Sequence, residues 1–266
     1  MKKLLVSLLA LTLVFSLAGV ASANTAIKIG ATPIPHAEVL NFVAPLLAEK
    51  GFDLTVVEFT DYVMPNIATD DGQLDANYFQ HRPYLDSFNA ENGTNLVAVV
   101  PVHFEPMGIY PGKTASLDAI QDGAKIAVPN DPTNEARALL LLEAQGLIKI
   151  AEDKGLTATK LDIVENPYNI DIYELEAAQV ARALADVDFA VINGNYALEA
   201  GLSASKDAVA AEALDSEAAV TRINYVVVKE GNEEADFIVA LREVLNTDEV
   251  RAFIEETYQG AVIAAF

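Results

Sequence analysis

Residues 59–86, FTDYVMPNIATDDGQLDANYFQHRPYLD, set Tyr62, Tyr78, Phe79, His81 and Tyr84 among acidic and amide side chains. Apolar, strand-like runs flank this stretch at residues 53–59 and 96–102. Rings beside a histidine, on loops and helix starts between buried strands, suit the wall of a small-molecule pocket. Each ring taken singly could equally cap a core.

Arg137 is the most informative single charge. It lies in the second turn of a helix that opens directly after a strand, so its guanidinium and the helix N–H groups could converge on one anion. A carboxylate held by a bidentate arginine would use that arrangement well. The other reading is a solvated arginine pairing with Glu143 or another neighbour. Asn193 falls at the carboxyl end of a predicted strand, where open α/β sheets bind ligands. An amide there can accept from an ammonium and donate to a carboxylate. Asn224 interrupts the apolar run RINYVVV, where a buried amide needs partners. Either asparagine could instead be a turn or edge residue.

His36, His81 and His103 raise the question of a metal, but none stands in a ligand spacing such as H-x-x-E-H. No metal and no cofactor is expected. There is no G-x-S-x-G, no phosphate-binding P-loop and no G-x-G-x-x-G after a strand, so no motif recommends an enzyme.

The elements that must carry these groups alternate. Strands are predicted at residues 26–31, 53–59, 74–78, 96–102, 125–128, 160–165, 172–175, 188–192 and 222–229. Helices are predicted at 36–50, 62–68, 81–91, 132–143, 177–185, 233–245 and 248–258. Asp131 caps the fourth with Pro132 at its first position, and Thr247 caps the last. Residues 108–123 read as a turn and a short helix. The alternation predicts an α/β protein with largely parallel sheets. Two α/β units are visible, with crossovers near residues 104–109 and 220–224. The pattern alone leaves open a two-lobed binding-protein plan and a single Rossmann-like domain.

Composition narrows the partners. The chain has 266 residues, 52% apolar and 21% charged, enough for two compact lobes. A net charge of −22 disfavours nucleic acid and anionic membrane. No cysteine is present, which excludes disulfides, thiolate catalysis and zinc–thiolate sites. Residues 1–23 read as an export signal: Lys2 and Lys3, an apolar run, then Ala21-Ser22-Ala23 as the cleavage motif.

Five strings carry a family resemblance: DYVMPN, DANYFQHRPYLD, AVPNDPTNEARALLLLEAQGLIKI, LDIVENPYNIDIYELEAAQVARAL and AVINGNYALEAGL. Together they closely resemble the methionine-binding proteins of bacterial ABC importers, a lipoprotein family, and the resemblance spans the mature chain. It implies a periplasmic-binding-protein-like type II fold, two α/β lobes joined by two hinge crossovers. The lobes would be residues 24–106 with 224–266, and residues 107–223. The implied function is capture of methionine, or a close derivative, outside the cytoplasm and delivery to an ABC permease and its ATPase subunit. The protein would be a monomer. In the family, rings enclose the thioether, here Tyr62, Phe79, His81 and Tyr84. An arginine and two asparagines take the carboxylate and ammonium, here Arg137, Asn193 and Asn224. Val20 stands where the family carries its lipidated cysteine, so no lipid anchor is expected. Two alternatives remain: an enzyme on the same two-lobed fold, and a zinc-binding transport protein using the three histidines.

Overall fold

The computed structural model describes residues 23–213 and 221–266. The expected export signal, apart from Ala23, lies outside the described residues, as does Val220 of the second crossover.

Two sheets organise the chain. The first holds β1 (Thr25–Ala31), β2 (Phe52–Glu58), β3 (Ala76–His81), β4 (Leu96–Phe104), β12 (Asn224–Lys229) and β13 (Ile263–Ala264), in the order β13-β4-β12-β3-β1-β2. The second holds β5 (Gly108–Pro111), β6 (Lys125–Pro129), β9 (Asp171–Leu175), β10 (Phe189–Ile192) and β11 (Ala210–Ala211), in the order β11-β5-β10-β6-β9. A small antiparallel pair, β7 (Lys149–Ile150) and β8 (Ile163–Glu165), stands apart. The chain leaves the first sheet after β4 and returns to it at β12, so two crossovers link two α/β lobes. This is the periplasmic-binding-protein-like type II plan.

The sheets are mixed, which corrects the expectation of largely parallel pairing. β1 is parallel to β2 and β3, but β12 runs antiparallel to both β3 and β4. In the second sheet β5 is antiparallel to β10. Two of the reversed strands, β5 and β12, are those by which the chain enters each lobe from the other. Residues 108–111, read as a turn, are therefore a strand. Leu74 lies outside β3, which runs on to His81. Residues 160–162 form a 3-10 turn closed by Thr159 and Asp162, and only residues 163–165 pair as a strand.

Helices cover both faces of each sheet. On the first, α1 (Glu38–Glu49), α7 (Asp236–Leu245) and α8 (Asp248–Tyr258) bury Leu40, Val43, Leu241 and Ile254 against β1 and β4. α2 (Met64–Asp70) and α3 (Arg82–Asn92) lie toward the other face, where Tyr84, Leu85 and Phe88 pack with Phe79 and Val227. On the second sheet, α4 (Pro132–Ala144) contributes Leu139 and Leu142 to one face. α5 (Ala177–Val180) and α6 (Gly194–Glu199) cover the other with Val180, Tyr196 and Ala197. Burying one such Leu or Val side chain stabilises the fold by about 1.5–3 kcal/mol. The predicted helix at 177–185 divides into α5 and a 3-10 turn, Ala181–Ala185. α6 is an element the sequence reading lacked.

Candidate functional site

β3 is the strand that supplies the first lobe's wall. All six of its residues are buried, as a central strand requires. Its pairing with β12 matches Tyr225 to Gln80 and then Val226 to Tyr78, so the register skips Phe79. That bulge breaks the two-residue alternation of side chains. Phe79, Gln80 and His81 consequently line one cavity in succession.

The cavity lies between the lobes and holds about 350 Å³ of space between atoms. Tyr62, Phe79, His81, Tyr84, Arg137, Asn193 and Asn224 all line it, which brings the seven sequence-derived candidates together. Gln80, Glu105, Asn134, Gly194 and Asn195 line it as well, and these the sequence reading missed. Asn134 and Asn195 did carry a signal, as amides in the first turn of a helix that follows a strand. Glu105 and Gln80 carried none, because nothing local distinguishes them from solvated residues.

The rings gather at one end. Tyr62 lies 5.7 Å from both Phe79 and Tyr84, centroid to centroid, and 4.9 Å from Tyr196 of the second lobe. These are ordinary separations for attractive offset and edge contacts. Tyr84 anchors its end of the group by donating its hydroxyl to the Tyr62 carbonyl oxygen at 3.0 Å.

His81 is the N-cap of α3. Its Nδ1 accepts the Tyr84 N–H at 3.2 Å, so the proton sits on Nε2 and is donated to Asn134 Oδ1, also at 3.2 Å. Burial holds its pKa well below the ordinary histidine range, with Arg222 and Arg137 adding to the effect, and the ring is neutral. Asn134 Oδ1 also accepts from Asn193 Nδ2 at 3.0 Å, while Asn134 Nδ2 donates to the N-cap Asp131. Asn193 has thus committed one of its two amide N–H groups inside the protein, and its Oδ1 is buried without a partner among the described residues.

Asn224 has the opposite polarity. His36 Nε2 faces two acceptors, Asn224 Oδ1 at 3.2 Å and Glu105 Oε1 at 3.5 Å, so it carries the proton, and Nδ1 accepts from Thr32 Oγ1 at 2.7 Å. Asn224 is thereby held by its oxygen, and its Nδ2 is left to donate.

Arg137 is buried, which removes the solvated reading, and Glu143 is not its partner. Glu143 instead accepts the Ile150 N–H at 2.8 Å. Arg137 donates Nε to Glu212 Oε1 at 2.7 Å, and Nη2 to Glu212 Oε2 at 2.5 Å and to the Glu105 carbonyl oxygen at 2.8 Å. Burial works against its charge, and the Glu212 carboxylate more than reverses that, raising its pKa. The bidentate fork expected to hold a ligand is filled by Glu212. Among the described residues Nη1 has no hydrogen-bond partner, and it is the donor left for the cavity.

Glu105 lies on the first crossover. Its Oε1 accepts from His103 Nε2 at 2.6 Å, and His103 Nδ1 is hydrogen-bonded to the Tyr78 hydroxyl. Burial raises the pKa of Glu105 and lowers those of His36 and His103 to about 4 and about 3. One donor atom each from His36, His103 and Glu105 lies within 4.8 Å of the others. Every ring nitrogen in that group is already in a hydrogen bond, so the cluster is a polar network of the hinge. His81 belongs to a different network, and the three histidines do not gather.

The sequence matches the NlpA lipoprotein family over residues 27–266. It is 44% identical to the "probable D-methionine-binding lipoprotein MetQ" of Vibrio cholerae over 241 residues, 90% of this chain and 88% of the relative. A nutrient-binding protein of Burkholderia cenocepacia, solved bound to methionine, superposes with a TM-score of 0.86 at 44% identity, covering 90% of this chain and all of that one. Lipoprotein Tp32 of Treponema pallidum gives 0.86 at 40% identity, covering 91% and 100%. A match of that length and identity settles the lineage: this chain belongs to the NlpA lipoprotein family.

Proposed function

We propose that the interlobe cavity binds methionine as a zwitterion and that Tyr62, Phe79, His81, Tyr84, Arg137, Asn193 and Asn224 are its ligand residues. The observation that carries this is polarity within one interlobe space. Rings from Tyr62, Phe79 and Tyr84 form one end, while Arg137 Nη1, Asn224 Nδ2 and the unpartnered Asn193 Oδ1 supply donors and an acceptor elsewhere. A thioether against ring edges gains about 0.3–1.5 kcal/mol per contact beyond plain burial. The methionine found in the Burkholderia structure is of this chemistry.

The protein is an extracytoplasmic substrate-binding protein of an ABC importer, and it does no chemistry on its ligand. Its partners are the permease and the ATPase subunit of that importer. We take the lobes as residues 24–106 with 224–266, and residues 107–223, which agrees with sheet membership. A ligand touching both lobes favours the closed form by its extra contacts there.

Calorimetric titration of protein stripped of ligand by unfolding and refolding tests the reading. Methionine should bind saturably, raise the melting temperature and shrink the radius of gyration in solution scattering. At a ligand concentration a hundredfold above Kd the added stability should be about 2.7 kcal/mol. Absence of methionine binding by refolded protein overturns it.

A further inference from the structure

Arg137 faces two ways. It lines the ligand cavity, and it also lines a separate, mostly apolar hollow with Glu212, Arg222, Leu140, Leu141 and Leu156. Glu212 lines only the second. The carboxylate that fills the Arg137 fork therefore sits behind the guanidinium as seen from the ligand.

Glu212 is itself held from several sides. Its Oε2 accepts the Met107 N–H at 2.9 Å besides Arg137 Nη2, and its own N–H donates to the Met107 carbonyl at 3.0 Å. Both partners of the ion pair are more than nine-tenths buried. Met107 and Glu105 belong to the first crossover, whereas Glu212 directly follows β11 of the second lobe. Through three hydrogen bonds one guanidinium on α4 ties the helix to the first crossover and to the segment after β11.

Resting on the proposed methionine site, we infer that Glu212 is a positioning residue for ligand carboxylate recognition. It fixes the plane of the Arg137 guanidinium so that Nη1 points into the cavity, and through Met107 it registers that donor to the first crossover. An arginine side chain has several rotatable bonds and would otherwise lose that entropy only on binding ligand. The opposite role, a carboxylate competing with the ligand for Arg137, would require Glu212 to stand on the ligand's side, which it does not.

The test uses Glu212→Gln, which keeps size and removes charge, in the full chain. Kd is measured by calorimetry for L-methionine and for L-methionine amide, which lacks the carboxylate, with both the parent and the variant. The expected result is an affinity for methionine reduced at least about tenfold, the scale of one misplaced charge-assisted hydrogen bond. Affinity for the amide should change little, so the preference for the free acid shrinks. Glu212→Asp, one methylene shorter with charge kept, should fall between parent and Glu212→Gln. An unchanged preference overturns the inference, even if both affinities fall, because that is what a purely structural role gives. Tighter methionine binding also overturns it and marks Glu212 as a competitor. If Glu212→Gln does not fold, Glu212→Asp is judged by the same preference. A parent that ignores methionine refutes the site itself, a result separable from any behaviour of the variant.

Discussion

Tyr62 of the first lobe donates its hydroxyl to Asn195 Oδ1 of the second at 2.5 Å, directly across the cleft. Beside it, His81 reaches Asn134 and Tyr196 donates to the Thr60 carbonyl at 3.2 Å. These hydrogen bonds join the lobes around the cavity, and each can exist only when the lobes are closed. Closure has a chemical signature besides a shape.

Tyr62→Phe keeps the ring and deletes one of these bonds. A net loss of about 0.5–1.5 kcal/mol from the closed form is expected. Solution scattering of the ligand-free variant should shift toward the larger, open form, and methionine affinity should fall by no more than about tenfold. An unchanged scattering profile together with unchanged affinity would remove Tyr62 from the closure mechanism.

Arg137→Ala and Phe79→Ala separate the polar and apolar ends. The first should cost roughly 2–5 kcal/mol of binding, similarly for every α-amino acid that binds, since all carry the carboxylate. It also strands Glu212 in a buried site, so the melting temperature should drop. Phe79→Ala should cost roughly 1–3 kcal/mol and blur the preference for methionine over norleucine. The demand for a free carboxylate should stay intact. Titration of both variants with methionine, norleucine and methionine amide checks this, and a wild-type methionine affinity for Arg137→Ala would count against the site.

Gly194→Ala tests how closely α6 approaches the first crossover. A Cβ there would stand 2.6 Å from Glu105 Cβ, a distance real contacts do not reach. The helix must then back away from the crossover, at about 1–3 kcal/mol for a close-packed site. Because the contact joins the second lobe's helix to the hinge, methionine binding should weaken along with thermal stability. Melting curves with and without ligand measure it, and a variant as stable and as tight as the parent would refute the prediction.

Stability should fall with acidification. His36 is wholly buried with its pKa pushed down to about 4, whereas the unfolded chain titrates at its ordinary value of 6.5. Between those values the unfolded state binds the extra proton, so stability is fully present above about pH 6.5 and is lost as pH falls toward about 4. For His36 alone the full effect is about 3 kcal/mol. His103, pushed to about 3 by burial, adds in the same sense. Glu105, whose pKa burial raises, works in the opposite sense and reduces the sum. Melting temperatures at pH 7.5, 6 and 4.5 for the parent and His36→Gln should show a shallower acid decline in the variant. Equal slopes would show that His36 does not titrate between the two states.

Much of this was legible along the chain. Strand and helix alternation, the Asp131 and Thr247 caps and the apolar faces of α1 and α8 are local facts written in side-chain period and cap chemistry. Strand direction was not, because the same apolar run serves parallel and antiparallel pairing, and only the return of the chain from the other lobe reverses β12. Residues 108–111 went unread as a strand because Gly108 and Pro111 carry turn propensity, which pairing with β10 and β11 overrides.

The sequence by itself determined which residue types the proposed site holds: the rings, Arg137 and Asn193 stand in strings specific to one family, and Asn224 stands out as an amide in the apolar run RINYVVV. Only the tertiary structure decided what each can do. The Phe79 bulge sets three consecutive residues, Phe79, Gln80 and His81, along one cavity, which no period-two reading predicts. One Asn193 N–H is committed to Asn134, 59 positions away, and Arg137 lost its fork to Glu212, 75 positions away. A hydrogen-bonding group's identity is local, but which of its donors and acceptors stays free depends on partners that only folding brings within about 3 Å.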